Sequence, residues 1–139
     1  MSHLRASWRR RGAVGVGLPL FATGCLLAAA GAGAGGGIYF TERGVASVVP
    51  VLMDRAAAAT KQTFDELKVR QTKASSEQQT SGERRELDGA VRDRDVSVTL
   101  TVDSTKTATR VYVVAKTSAV TWDKDLARTI LERIVAYSR

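Results

Sequence analysis

The chain has 139 residues with 21 Lys/Arg against 14 Asp/Glu, a formal charge of +7, and its length suits one domain rather than two. Arg5, Arg9, Arg10 and Arg11 stand in an acid-free stretch over residues 1–24. The remainder carries 17 basic against 14 acidic residues, a net +3, which is an ordinary surface and makes no case for nucleic acid as a partner. The single histidine, His3, and the single cysteine, Cys25, both fall at the N-terminal end. That excludes an intrachain disulfide, and for the rest of the chain a His/Cys zinc site and a Cys–His nucleophile.

Arg5–Arg11 reads as the positive region of an export signal, and Gly12–Ala22 (GAVGVGLPLFA) as its apolar region, with Pro19 interrupting any continuous helix. Ala22-Thr23-Gly24-Cys25 follows. This tetrad resembles the lipobox of bacterial lipoproteins, with Ala22 where leucine is usual. The resemblance implies a signal peptide over 1–24, cleavage before Cys25 and lipidation of Cys25. Several acyl chains at ~0.8 kcal/mol per buried CH₂ would make that attachment effectively permanent. Leu26 stands where an aspartate would signal inner-membrane retention, which favours the outer membrane. The competing reading is an uncleaved single-pass anchor in the inner membrane. No charge occurs between Gly12 and Thr41, and about 20 apolar residues suffice to span a bilayer.

Leu26–Gly37 (LLAAAGAGAGGG) has the composition of a tether, assigned to residues 25–43. The spacings Gly31/Gly35 and Gly33/Gly37 leave open a small-residue helix surface through which the chain would oligomerise. The folded domain is expected over 44–139. Ile38–Val49 (IYFTERGVASVV) predicts a strand broken near Gly44, and Pro50 suits the first turn of a helix. Met53, Ala57, Thr60, Phe64 and Leu67 recur at steps of three and four, predicting a helix over Val51–Lys68.

Val69–Asp88 holds only three apolar residues, Val69, Ala74 and Leu87. A structureless loop of that length is rare in a small domain, so two polar strands turning near Gln78–Gly82 are expected. Val96, Val98, Leu100 and Val102 alternate with Ser97, Thr99 and Thr101 across Asp95–Asp103. Thr109–Lys116 repeats the pattern, with Val111, Val113 and Ala115 inward and Arg110, Tyr112 and Val114 outward. Leu126, Ala127, Ile130, Leu131 and Ile134 predict a closing helix over Trp122–Tyr137. The order β-α-β-β-β-β-α describes an α+β two-layer sandwich, an antiparallel sheet with two helices on one face.

A lipobox, a Gly/Ala tether, Pro50, Asp54-Arg55-Ala56-Ala57-Ala58-Ala59-Thr60, Val96-Ser97-Val98-Thr99-Leu100 and Leu126-Ala127-Arg128-Thr129-Ile130-Leu131 are together similar to small bacterial envelope lipoproteins. That group is catalogued as a domain of unknown function (number 3568). The resemblance spans Cys25–Ile134 and implies a lipid-anchored protein facing the periplasm. It carries over no catalytic residue.

Few residues invite chemistry. Asp93-Arg94-Asp95 offers two carboxylates, but without the further oxygen ligands of a calcium loop it reads as a hairpin turn. Asp123 and Asp125 could pair as acid and base, yet carboxylates also complement a helix start. Arg84, Arg85, Arg92 and Arg94 form a basic strip that Glu83, Glu86, Asp88, Asp93 and Asp95 cancel. Tyr112 and Trp122 are candidate aromatics for partner contact. The reading is a non-catalytic domain, with no cofactor or metal, that binds a protein or envelope component and meets the membrane through Cys25. The alternative is an envelope hydrolase or transferase using carboxylates or a Ser/Lys pair.

Overall fold

The computed structural model describes residues 37–139. Its order is β1 (Tyr39–Phe40), β2 (Val45–Val49), α1 (Met53–Glu66), β3 (Arg70–Gln79), β4 (Gly82–Val91), β5 (Arg94–Val102), β6 (Thr109–Ser118), β7 (Thr121–Trp122) and α2 (Lys124–Tyr137). The strands form one antiparallel sheet in the order β1-β2-β6-β5-β4-β3, and β7 continues the line of β2 along β6. This is the α+β sandwich the sequence predicts, with the opening strand split in two and the short β7 added. Residues 38–43, assigned above to the tether, belong to the fold. Ile38 packs on the core, and Tyr39 and Phe40 pair with Ala46 and Val45.

Connectivity follows from the two faces of the sheet. Helix α1 leaves β2 near one edge and delivers the chain to β3 at the other, from which β3–β6 return as three hairpins. Its alanines Ala56, Ala57 and Ala59 are buried, and so thin a face lets the helix lie close to the sheet and to α2. Thr60 and Thr63 are also buried there, each hydroxyl donating to the carbonyl four residues back at 2.9 and 2.8 Å, so neither leaves an unpaired polar group. Helix α2 buries Ala127, Ile130, Leu131 and Ile134 completely, and each large side chain of that set contributes roughly 1.5–3 kcal/mol. The alternation read at Val96–Leu100 and Val111–Ala115 is the helix-covered face, fully or almost fully buried.

Two local expectations are corrected and one detail is added. Pro50 lies before the N-cap Leu52, ending β2 instead of opening α1. Trp122 belongs to β7, paired with Lys116, because the cap that starts α2 is Asp123. Thr72 is an extra residue in β3, where the register slips between Gln71 and Lys73, so the strand bulges at one end.

Candidate functional site

Among the described residues no layer covers the face of the sheet away from the helices, so its side chains are available. One row crosses it from edge to edge: Tyr39, Ala46, Tyr112, Thr99, Glu86 and Ser75 stand opposite one another on six successive strands. The row changes character along its length, with tyrosines on β1 and β6, then threonine, a carboxylate and serine toward β3. Two adjoining hollows of about 350 and 450 Å³ lie across this face. They share Glu86, Ser97, Val114 and Lys116. The first extends to Asp88, Asp95 and the bulged Thr72, the second to Arg43, Tyr112 and Trp122.

Ser97 Oγ donates to Glu86 Oε1 at 3.2 Å, and Arg84 Nη2 donates to the other oxygen at 3.5 Å. Thr41 Oγ1 lies 3.4 Å from the Tyr112 hydroxyl, and the Arg43 guanidinium stands 5.8 Å from the centre of the Trp122 ring, within cation–π reach. Among the described residues, two buried side-chain atoms lack a hydrogen-bond partner, Asp88 Oδ1 and Trp122 Nε1. Each belongs to a residue lining one of the two hollows. A face with aromatic rings at one end, carboxylates at the other and hydroxyls between suits binding of an extended polar chain.

Of the carboxylates singled out in the sequence, Glu86, Asp88 and Asp95 line the open face, while Asp93, Asp123 and Asp125 lie elsewhere. A cleft of about 500 Å³ between the β4–β5 turn and the start of α2 gathers Asp93, Arg94, Asp123 and Asp125. Arg94 binds Asp93 at 2.6 Å and Asp123 Oδ2 at 3.0 Å, while Asp123 Oδ1 accepts from the Leu126 amide at 2.9 Å. The amide and then Arg94 hold the Asp123 carboxyl below its ordinary range. A general acid at neutral pH needs the opposite shift, and Asp123 instead caps the helix and, with Arg94, clamps the turn to it. Asp123→Ala is expected to cost ~1–2 kcal/mol by loss of the cap, read as a lowered urea midpoint. Because the folded carboxyl ionises at lower pH than the unfolded one, its contribution is complete above about pH 4–5. It is lost as pH falls through the folded value, and acid titration of Asp123→Ala should lack that step.

Within the basic strip, Arg84 and Arg85 are held in ion pairs. Arg84 meets Glu86, and Arg85 binds both Asp54 and Glu83 at 2.7 and 2.5 Å. Arg92 sits at φ 55° in the turn beside Asp93. Among the described residues no group of three or more His, Cys, Asp or Glu is placed to hold a metal, and no helix is long and apolar enough to cross a membrane. Ala22, Thr23, Gly24 and Cys25, the signal region 1–24 and the glycines 31, 33 and 35 lie outside the described residues. Outward alternation already marked Ser97, Thr99, Tyr112 and Val114. Arg43, Glu86, Asp88 and Lys116 join them only through strand pairing. Comparison with protein-family models and with curated proteins finds no match for this chain, so the likeness to envelope lipoproteins rests on the motifs quoted above.

Proposed function

We propose that this chain is a bacterial envelope lipoprotein, held to the membrane by lipidated Cys25, whose non-catalytic α+β domain binds an extended protein segment or envelope polymer across its open sheet face. The observation that carries the binding role is that face: two joined hollows, aromatic at one end and acidic at the other, with Asp88 Oδ1 and Trp122 Nε1 unpaired in their walls. The motif Ala22-Thr23-Gly24-Cys25 behind a basic and apolar leader supports the anchor. Leu26 favours the outer membrane, with the domain facing the periplasm.

Mass spectrometry of the mature N-terminus tests the anchor. An acylated Cys25 as first residue is the expected result, with Cys25→Ser leaving an unprocessed chain. Retention of Met1–Gly24 on the wild-type protein overturns it in favour of a single-pass anchor. A photoreactive residue at Thr99 tests the binding role. It should capture a discrete envelope component from intact cells, and Trp122→Phe, which keeps an aromatic ring and removes the unpaired Nε1 donor, should lower that capture while leaving the melting curve near wild type.

A further inference from the structure

Four large apolar side chains are exposed among the described residues: Tyr39 (57%), Phe40 (58%), Leu52 (66%) and Val120 (77%). None is on β3, β4 or β5. Tyr39 and Phe40 form β1, Leu52 follows β2, and Val120 lies in the turn between β6 and β7, which continues the line of β2. The opposite edge, β3, reads RQTKASSEQQ, and nine of its ten residues are exposed. One edge of the sheet is therefore aromatic and aliphatic and the other wholly polar apart from Ala74. The described chain begins at Gly37, on the apolar edge.

We infer that the β1–β2–β7 edge lies in the headgroup region of the bilayer to which Cys25 is attached, with β3 pointing away from it; this rests on the anchoring proposed above. Twelve residues separate Cys25 from Ile38, and twelve residues reach at most ~40 Å however they are arranged. Confinement on that scale gives an effective concentration of millimolar order at the surface, so a weak contact is occupied. Tyrosine favours the interface, where the ring is buried and the polar tip stays wet, and Tyr39 is the exposed tyrosine of this edge. Glu42 and Arg43 cancel in the β1–β2 turn, so this edge carries no acidic surplus for anionic headgroups to repel. Glu86, Asp88 and Asp95 are repelled by the same headgroups, and they lie on β4 and β5. This orientation leaves the acidic end of the open face accessible. Strands β2 and β3 are four spacings apart in the sheet order, about 19 Å, so the two edges differ in depth by a measurable amount.

The mature protein carrying Tyr39→Cys, Val120→Cys or Glu77→Cys is labelled with a polarity-sensitive thiol dye and reconstituted in vesicles of three parts phosphatidylethanolamine to one part phosphatidylglycerol. If mass spectrometry finds Cys25 unacylated, the variants are made on Cys25→Ser. Flotation with the vesicles reports anchoring, and quenching by headgroup-attached nitroxide lipid reports contact. The expected result is quenching roughly threefold stronger at 39 and 120 than at 77, given offsets of ~24 and ~19 Å from β3, and weakened at 39 by Phe40→Ser. Equal quenching at all three sites in floating protein overturns the docking and leaves the anchor intact. Protein that fails to float overturns both. Self-quenching between copies labelled at position 39, without lipid quenching, assigns the edge to a second copy and overturns it as well.

Discussion

Phe64→Ala is expected to destabilise the domain by ~3–5 kcal/mol, the usual loss when a fully buried aromatic is truncated in a core that cannot collapse around the void. Phe64 is 2% exposed on α1, and it covers a gap that the sheet leaves on purpose. A methyl group added to Gly89 of β4 would come within 3.2 Å of the Phe64 ring and 2.6 Å of Val69 Cγ1. Ring and glycine are thus complementary shapes, one supplying the volume that the other omits. Val69, 5% exposed, closes the same pocket just after the helix, where its amide donates to the Phe64 carbonyl at 2.8 Å. A folded unit of about a hundred residues has only ~5–15 kcal/mol of stability in total. The truncation should therefore lower the melting temperature by roughly 12–30 °C, measured by calorimetry, with Phe64→Leu losing much less. A fall of only a few degrees for Phe64→Ala would mean that Val69 and Leu67 close over Gly89, and that the helix–sheet seam is softer than its packing implies.

The same seam explains what was legible in the sequence. Val96–Val102 and Val111–Ala115 are half-covered strands, and period-two alternation is the direct imprint of one wet and one dry face. Strand β3 carries no such imprint because both its faces are open at the sheet edge. Only the improbability of a long loop pointed to a strand there. The apolar stripe of α1 is wider than Met53-Ala57-Thr60-Phe64-Leu67. The helix touches both the sheet and α2, so Ala56, Ala59 and Thr63 are buried as well. Trp122 read as a helix start because the capping residue Asp123 follows it directly, and β7 is too short to leave any pattern.

The candidate site was legible only in part, for a related reason. Alternation tells which residues leave the core, and it correctly sends Ser97, Thr99, Tyr112 and Val114 outward. It does not tell which strands become neighbours. The open face is assembled by pairing β2 with β6 and β4 with β5, which brings Arg43 to Trp122 from distant parts of the chain and Glu86 to Ser97 across a hairpin. Arg94 and Asp123 likewise meet across 29 positions. That contact takes one carboxylate from each apparent pair, Asp93 and Asp123, into a structural clamp, while Asp95 faces the first hollow of the open sheet.

Gly44→Ala should be the most damaging small substitution near that face. The glycine closes the turn Thr41–Gly44: the Thr41 amide and hydroxyl donate to its carbonyl at 2.8 and 3.0 Å, and its own amide donates to Thr41 Oγ1 at 2.9 Å. Its α-carbon lies directly against β6. A β-carbon there would collide with the Val113 carbonyl oxygen and come within 3.1 Å of Val114 Cγ2. The obstacle is backbone held in the sheet, so the turn itself must lift. That movement strains the pairing of Val45 with Val113 at the head of β2. Overpacking of this kind typically costs ~1–3 kcal/mol, and with a backbone obstruction the upper end is expected, roughly 10–20 °C in melting temperature. The turn also holds Arg43 over Trp122 and sets the position of Tyr39 and Phe40, so the variant should lose vesicle-edge contact at position 39 more than it loses flotation. A wild-type melting curve for Gly44→Ala would show that the first hairpin moves independently of β6, and the edge would then be a loose flap instead of a fixed surface.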